Sequence, residues 1–383
     1  MTLSVRLRHR LGAFALDAEF MAPPGLTVLF GRSGSGKTTI VNAVAGLLMP
    51  DEGRIVAGDR TLLDTKRGIR LKSHRRRLGY IFQEGRLFPH LTVRQNLAYG
   101  AWFAPRHAPR ENRDRVVELL GIGSLLDRRP GALSGGEKQR VAIGRALLSA
   151  PRLILADEPL AALDEARKAE ILPYFERLRD EVSIPILYVS HSATEVARLA
   201  TTIVALDAGR VVAQGPAAEM LADPAVLPTG AREAGAVVQA RVAHHHADGL
   251  TELDAGGTPL FLPRVGAPPG DTLRVRISAH DVILARQRPD GLSALNILPG
   301  VVQELRPGAG PGTIVALETP AGRLLARITR RSAEALRLEP GSQVHAIIKT
   351  VSVAPLDIGG GGAGVEAAGP NGMSHDGTSV RPR

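Results

Sequence analysis

An α/β layered domain followed by an all-β appendage is the architecture this sequence predicts, and three observations predict it. Residues 1 to about 215 alternate short β-rich runs with helical patterns. From about residue 236 the composition changes to short alternating strands separated by Gly and Pro turns, with few helical periods. At 383 residues and 44% apolar content, the chain is long enough to bury more than one core.

Taken in order, Leu26-Thr-Val-Leu-Phe30 reads as a strand that feeds a helix from Lys37, and Leu153-Ile-Leu-Ala156 reads as a second buried strand. Ile186-Leu-Tyr-Val-Ser190, a helix from Ser192 and Ile203-Val-Ala-Leu206 close the α/β domain before a turn at Asp207 to Gly209. Within the appendage, Gly270 to Val282 aligns without gaps on Gly341 to Val353, pairing Ile277 with Ile348 and Val282 with Val353, which suggests two related β-units. The glycine run Gly359 to Gly362 opens a tail of small and polar residues that cannot bury a core, and disorder is expected there. The boundaries read as 1–232, 236–290, 291–356 and a disordered 357–383.

Composition narrows the chemistry. No stretch approaches the ~20 apolar residues that cross a bilayer, and Met1 to Gly12 lacks the apolar core of a signal peptide. With no cysteine there is no disulfide, thiolate metal site or cysteine nucleophile. A formal charge of +10 suggests an anionic partner, and nucleotide, an anionic membrane surface, nucleic acid or an oxyanion all qualify. His244-His-His246 reads as surface, because adjacent strand residues face opposite ways.

Gly31-Arg32-Ser33-Gly34-Ser35-Gly36-Lys37-Thr38 fits the phosphate-loop pattern G-x-x-x-x-G-K-[ST], with Thr39 next in the helix. Glycines let the backbone curl with its N–H groups inward, and the helix N-terminus adds partial positive charge. Lys37 would hold the β- and γ-phosphates, and Thr38 would place its hydroxyl on Mg²⁺. Leu153 to Glu158 is an apolar strand ending in two acids. There Asp157 would bind Mg²⁺ through its hydration shell, and Glu158 would polarise the attacking water. Leu133-Ser134-Gly135-Gly136-Glu137 opens another helix, a second site ready for an anion.

That last motif, followed by Lys138-Gln-Arg140, resembles the signature of ABC ATPases. The resemblance implies ATP and Mg²⁺ as cofactors, a helical subdomain carrying the signature, and a head-to-tail homodimer in which Ser134 to Glu137 of one copy cap ATP on the other's phosphate loop. Gln83 resembles the glutamine that senses Mg²⁺ and the γ-phosphate, His191 the switch histidine, and Ala162-Leu-Asp164 the loop linking the two sites. Phe88 and Leu91 are candidates for contact with a membrane subunit, with an ordinary core role as the alternative. The family's adenine-stacking aromatic has no counterpart at Arg8 to Arg10, and Phe14 sits closer to the phosphate loop than usual.

The wording of Tyr80 to His90 and of Leu133 to Arg145 is similar to molybdate importer ATPases. Ser293-Ala-Leu-Asn296 resembles the Ser-Ala-Arg-Asn opening of the OB-like molybdate-binding domain, with Leu295 in place of the arginine, and Ile348 to Val353 resembles its closing strand. Ser293, Asn296 and Lys349 are the oxyanion candidates, and a purely structural domain is the alternative. The resemblance implies an ATP-hydrolysing importer subunit on the cytoplasmic face of the inner membrane, beneath membrane-spanning permease subunits fed by a solute-binding protein. Molybdate is the favoured cargo over another anion or a sugar. A vestigial ATPase serving as a sensor or store conflicts with intact Lys37, Asp157, Glu158 and His191. Soluble relatives acting on nucleic acid carry a coiled coil or a second ATPase half, neither of which is visible, so no nucleic-acid partner is expected.

Overall fold

The computed structural model describes residues 1–103, 111–161, 163–182, 184–222, 234–308 and 310–360. It opens on a hairpin, β1 (Leu3–Leu11) and β2 (Phe14–Ala22), whose alternating burial places Leu3, Val5 and Leu7 beside Leu16, Ala18 and Phe20 in one core. β3 (Leu26–Gly31) is buried along its whole length and leads into α1 (Lys37–Ala45). An antiparallel group comes next, β4 (Glu52–Ala57), β5 (Arg60–Asp64) and β6 (Ile69–Arg70), and then β7 (Leu78–Ile81). Helices α2 (Val93–Phe103) and α3 (Arg113–Leu119) pack on α4 (Gly135–Leu148), which precedes β8 (Leu153–Asp157). The domain ends with α5 (Glu165–Glu181), β9 (Ile186–Ser190), α6 (Ala193–Leu199), β10 (Thr202–Asp207), β11 (Arg210–Pro216) and α7 (Ala217–Leu221).

Eleven strands form one sheet in the order β6-β5-β4-β1-β2-β11-β10-β3-β9-β8-β7. Its parallel part, β10-β3-β9-β8-β7, reads as continuous apolar runs because helices cover both faces, whereas β1 and β2 alternate. Phe30 pairs with Ser190 and Asp157 with Val189, so the C-terminal ends of β3, β8 and β9 finish at one level. Ligands of open parallel sheets bind beyond such ends.

The second domain comprises β12 (Gly235–His245), β13 (Leu250–Ala255), β14 (Thr258–Pro263), β15 (Thr272–Ser278), β16 (Val282–Ala285), β17 (Asn296–Pro307), β18 (Gly312–Thr319), β19 (Gly322–Thr329), α8 (Arg330–Ala335), β20 (Gln343–Ile348) and β21 (Ile358–Gly360). Two five-stranded sheets result, β14-β13-β12-β15-β21 and β16-β20-β17-β18-β19. Read from the opposite edge, the second has the connectivity of the first. β12 is bulged at Val242/His244 and β17 at Val302/Glu304. Val242 donates to Asp271 O and accepts from Gly270, as Val302 donates to Ser342 O and accepts from Gly341. The suggested repeat is therefore present, with Gly270 and Gly341 both at positive φ.

Three expectations change. β16 lies in the expected first unit but pairs with β20, and β21 comes after the second unit but pairs with β15, so the copies exchange their last strands and the sheets do not divide at residue 290. The ungapped alignment also fails after Ile277 and Ile348: Leu284 takes the place in its copy that Ile358 takes in the other, three residues out of the register that paired Val282 with Val353. The tail expected from residue 357 is ordered at its start, since Ile358 to Gly360 close the edge of β15. Residues 361–383, Ala162 and the expected end of the first domain at 232 lie outside the described residues, while the expected start at 236 falls one residue into β12. At the histidine run, His244 and His246, two residues apart, are in edge-to-face contact at 4.8 Å, while His245 between them is within 2.9 Å of both Thr251 Oγ1 and Ala267 O.

The two domains share a packed boundary. Arg274 of β15 is buried and donates to the carbonyls of Arg198 and Ala200 at the C-terminal end of α6, where a helix favours a cation. Burial pushes its guanidinium down to about 10, which leaves it charged at neutral pH. Gly360 O accepts from Arg179 of α5 at 2.9 Å, and Asp357 pairs with Arg276 at 3.1 Å.

Candidate functional site

β3 ends at Gly31, which is glycine for a steric reason: a Cβ there would lie 2.4 Å from Leu206 O. Gly34 and Gly36 take φ of 80° and 101°, which turns the chain into α1. Gly36 gives α1 no side-chain cap, so its first N–H groups are free to meet an anion. Inside the loop, the buried Ser35 hydroxyl has no hydrogen-bond partner. Lys37 is folded inward, donating to Gly31 O at 2.7 Å and Arg32 O at 2.8 Å. Burial lowers its ammonium pKa, against the opposing pull of Glu158 and Asp157. A buried cation, an orphaned hydroxyl and a helix N-terminus without a side-chain cap fit a polyphosphate.

Asp157 stands across from the loop. Its Oδ1 accepts from Thr38 at 3.2 Å and its Oδ2 lies 3.3 Å from the Tyr80 hydroxyl. Burial raises its pKa, and both hydrogen bonds oppose that rise. One carboxylate and one threonine hydroxyl suit Mg²⁺, a hard cation that completes its shell with phosphate and water oxygens. Glu158 is held at φ 44° with its N–H on Val189 O, and its Oε1 lies 3.4 Å from His191 Nδ1. Strain at a non-glycine residue beside the phosphate loop is a mark of functional geometry.

His191 is exposed, but the residues on either side of it are held in place. Ser190 Oγ and Tyr188 OH both donate to Glu195 at 2.8 and 3.0 Å, Lys168 pairs with Glu195 at 3.3 Å, and Ser192 N donates to Ser190 Oγ. Sequence reasoning missed Glu195, since nothing in its local context distinguishes it from a solvated helical glutamate.

The structure brings Lys37, Thr38, Asp157, Glu158 and His191 together, whereas Gln83 lies beyond the end of β7 and is not hydrogen-bonded to any of them. Gln83 is instead positioned through α4, where Gln139 donates to Phe82 O at 3.2 Å and Arg145 to the carbonyls of Gly85 and Arg86. At the start of that helix, Ser134 and Glu137 form a reciprocal capping box, which holds the Glu137 carboxyl below the usual range. Gly135 and Gly136 face α5 and the segment before it: an added Cβ would stand 3.6 Å from Leu163 and 3.7 Å from Ile171. The signature thus opens a helix whose N-terminus is closed by its own capping box.

Phe14 is committed to packing, since a Cβ on Gly36 would come within 3.1 Å of its ring and one on Gly209 within 3.2 Å. Phe88 is half-buried against Tyr99 at 4.3 Å and under the Arg145 guanidinium at 5.2 Å. The large exposed aromatic on this side is Trp102 of α2, 65% exposed and missed from sequence because its spacing from Tyr99 reads as core.

Of the oxyanion candidates, Asn296 is accounted for otherwise. Its buried amide accepts from Phe261 N at 2.7 Å and donates to Phe261 O at 2.9 Å, clamping β17 to β14. Ser293 and Lys349 are exposed near the same end of the second sheet, where Asn296 pairs with Ile348. Next to Lys349, the buried hydroxyl of Thr350 has no partner.

Comparison with known proteins agrees with this geometry. Residues 18–161 match the ABC transporter family and residues 292–355 the TOBE domain. The chain is 52% identical over 363 residues to the molybdenum import ATP-binding protein ModC of Mesorhizobium japonicum, covering 94% of this chain and 98% of that protein. It is 54% identical to the same-named protein of Rhizobium meliloti, covering 92% and 99%, and 50% identical to that of Paramagnetospirillum magneticum, covering 93% and 99%. With half its residues shared across almost the whole of these proteins, the chain belongs to the molybdenum import ATP-binding family of ABC transporters.

Proposed function

We propose that this chain is the ATP-hydrolysing subunit of a molybdate importer, working as a head-to-tail pair on the cytoplasmic face beneath separate membrane-spanning subunits. The observation that carries the reading is the meeting of Lys37, Thr38, Asp157, Glu158 and His191 at the ends of β3, β8 and β9, around a loop with an unpaired buried hydroxyl. The names of the relatives support the cargo. Among the described residues no helix is long and apolar enough to cross a membrane, and the reading gives the path to partner subunits.

In the reaction ATP and water yield ADP, phosphate and a proton. Loop N–H groups, Ser35 and Lys37 bind and orient the phosphates. Thr38 and Asp157 would hold Mg²⁺, which would supply positive charge to offset that of the phosphate oxygens. Glu158 accepts the proton of the attacking water, and His191, paired with Glu158, reaches the γ-phosphate. With Ser134 to Gly136 of each copy set against the other's phosphate loop, two copies opposed head to tail sandwich two nucleotides, and closure depends on ATP. Trp102, exposed beside the segment after Gln83, is the residue we assign to the membrane subunit.

In proteoliposomes holding the chain with its membrane subunits, molybdate uptake should require ATP and disappear in Glu158→Gln, which should still bind ATP and stay dimeric. ATP-independent uptake, or undiminished turnover in Glu158→Gln, would overturn the reading. For the β-domain, Ser293, Lys349 and Thr350 form the oxyanion donor set, and occupancy by cargo throttles uptake. Calorimetric titration of the full chain should show molybdate or tungstate binding and no sulfate binding. Without binding, the β-domain is reduced to its packing role.

A further inference from the structure

Tyr80 carries none of the chemistry assigned above, yet it lies on the carboxylate that does. β7 pairs in parallel with β8, Tyr80 opposite Leu155, so the Tyr80 side chain leaves the sheet on the face shared by Leu155 and Asp157. Its hydroxyl stands 3.3 Å from Asp157 Oδ2 and 3.3 Å from Asn42 Oδ1 of α1. One proton serves one acceptor at a time. The two ends of an amide are nearly the same size, so Asn42 turned over donates its N–H₂ to the tyrosine oxygen while the tyrosine donates to Asp157. Thr38 holds the other oxygen, so the carboxylate is fixed at both ends.

The ring is itself held. Tyr80 stacks on Phe82 at 4.1 Å and 22°, and the Arg86 guanidinium lies 4.5 Å from the Phe82 ring centre. Phe82 O accepts from Gln139, and Arg145 of the same helix fixes the carbonyls around Arg86, which sits at φ 39°. The stack therefore begins in the segment that flanks Gln83 and ends on Asp157.

We propose that Tyr80 is a positioning residue for the ATPase reaction, its hydroxyl holding the Asp157 carboxylate in the orientation that receives the nucleotide's Mg²⁺. The proposal rests on Asp157 being the metal carboxylate, and the test separates the two. Mn²⁺ serves as the spin probe, titrated into the full-length protein saturated with a non-hydrolysable ATP analogue and followed by electron paramagnetic resonance. Affinity for the analogue is measured separately in excess chelator. Tyr80→Phe keeps the ring and its stack and loses only the donor. It should weaken Mn²⁺ binding roughly tenfold, the usual worth of a hydrogen bond to a charged group, while metal-free analogue affinity changes by less than about twofold. A merely structural tyrosine would move both affinities or neither.

Unchanged Mn²⁺ affinity in Tyr80→Phe, with Mn²⁺ binding lost in Asp157→Asn, overturns the role of Tyr80 alone. Retained Mn²⁺ affinity in Asp157→Asn overturns the reading of Asp157 and the proposal with it. Should Tyr80→Phe fail to fold, Asn42→Ala carries the test, with an expected loss of roughly two- to fivefold from a less restrained hydroxyl; no loss there overturns the proposal.

Discussion

Asn296 shows how one residue type serves two chemistries. Its amide could address an oxyanion, as the sequence motif implies, but in the fold both ends are spent on the backbone of Phe261. Asn296→Ala should therefore cost stability first. Two buried backbone groups lose their partners at once, for roughly 2–4 kcal/mol, measurable by denaturant unfolding of the full chain. An unchanged midpoint would return Asn296 to the oxyanion site. The phosphate loop was legible because its chemistry demands glycines, a lysine and a threonine at fixed spacing in one short stretch. Tyr80, Glu195 and the unpaired Ser35 hydroxyl were not, because their roles depend on partners brought up by other strands and helices. Leu295, where the family motif has arginine, is 52% exposed.

At the scale of elements, β21 is the least expected and the most tightly constrained. It adds to β15 on one side and lies on α5 and α6 on the other. Gly359 fits only as glycine: a Cβ would stand 2.6 Å from Glu176 Oε1 and 3.1 Å from Arg198 Nε, the two members of a buried ion pair. Gly359→Val should lower stability by roughly 1–3 kcal/mol and raise protease sensitivity at the domain boundary, because the pair must open or the strand must lift. Wild-type thermal unfolding and proteolysis in this variant would show that β21 is not a brace. The glycine run that signalled a structureless tail was a sound reading of composition, since three residues of strand add almost no apolar signal. Their order comes from β15 and Arg179. The repeat was legible at β15 and β20 because the same turn glycine and alternation recur in both. The exchange of their successors was not, because a strand's sequence records its pleat and leaves its neighbour open.

Across the whole molecule, the α/β domain matched its sequence closely, because buried parallel strands and the loops at their ends write themselves as apolar runs and special residues. The relation between domains was written nowhere locally. Arg274, buried against the end of α6, and Asp357, between Arg276 and Thr194, connect the β-domain to the helix that starts just past His191 and its neighbour Ser192. The β-domain thus rests on α6, the short helix that follows His191, as well as on α5.

The strand exchange has a consequence for synthesis. On a chain emerging from the ribosome, β16 appears long before β20 can receive it, and β15 keeps an open edge until residues 358 to 360 are free. Neither sheet is complete until β20 and β21 have been made, so the β-domain should fold as one late unit rather than as two successive ones. A chain ending early would present the bare edge of β15, a template for pairing with other chains, and cells would meet such fragments as aggregates.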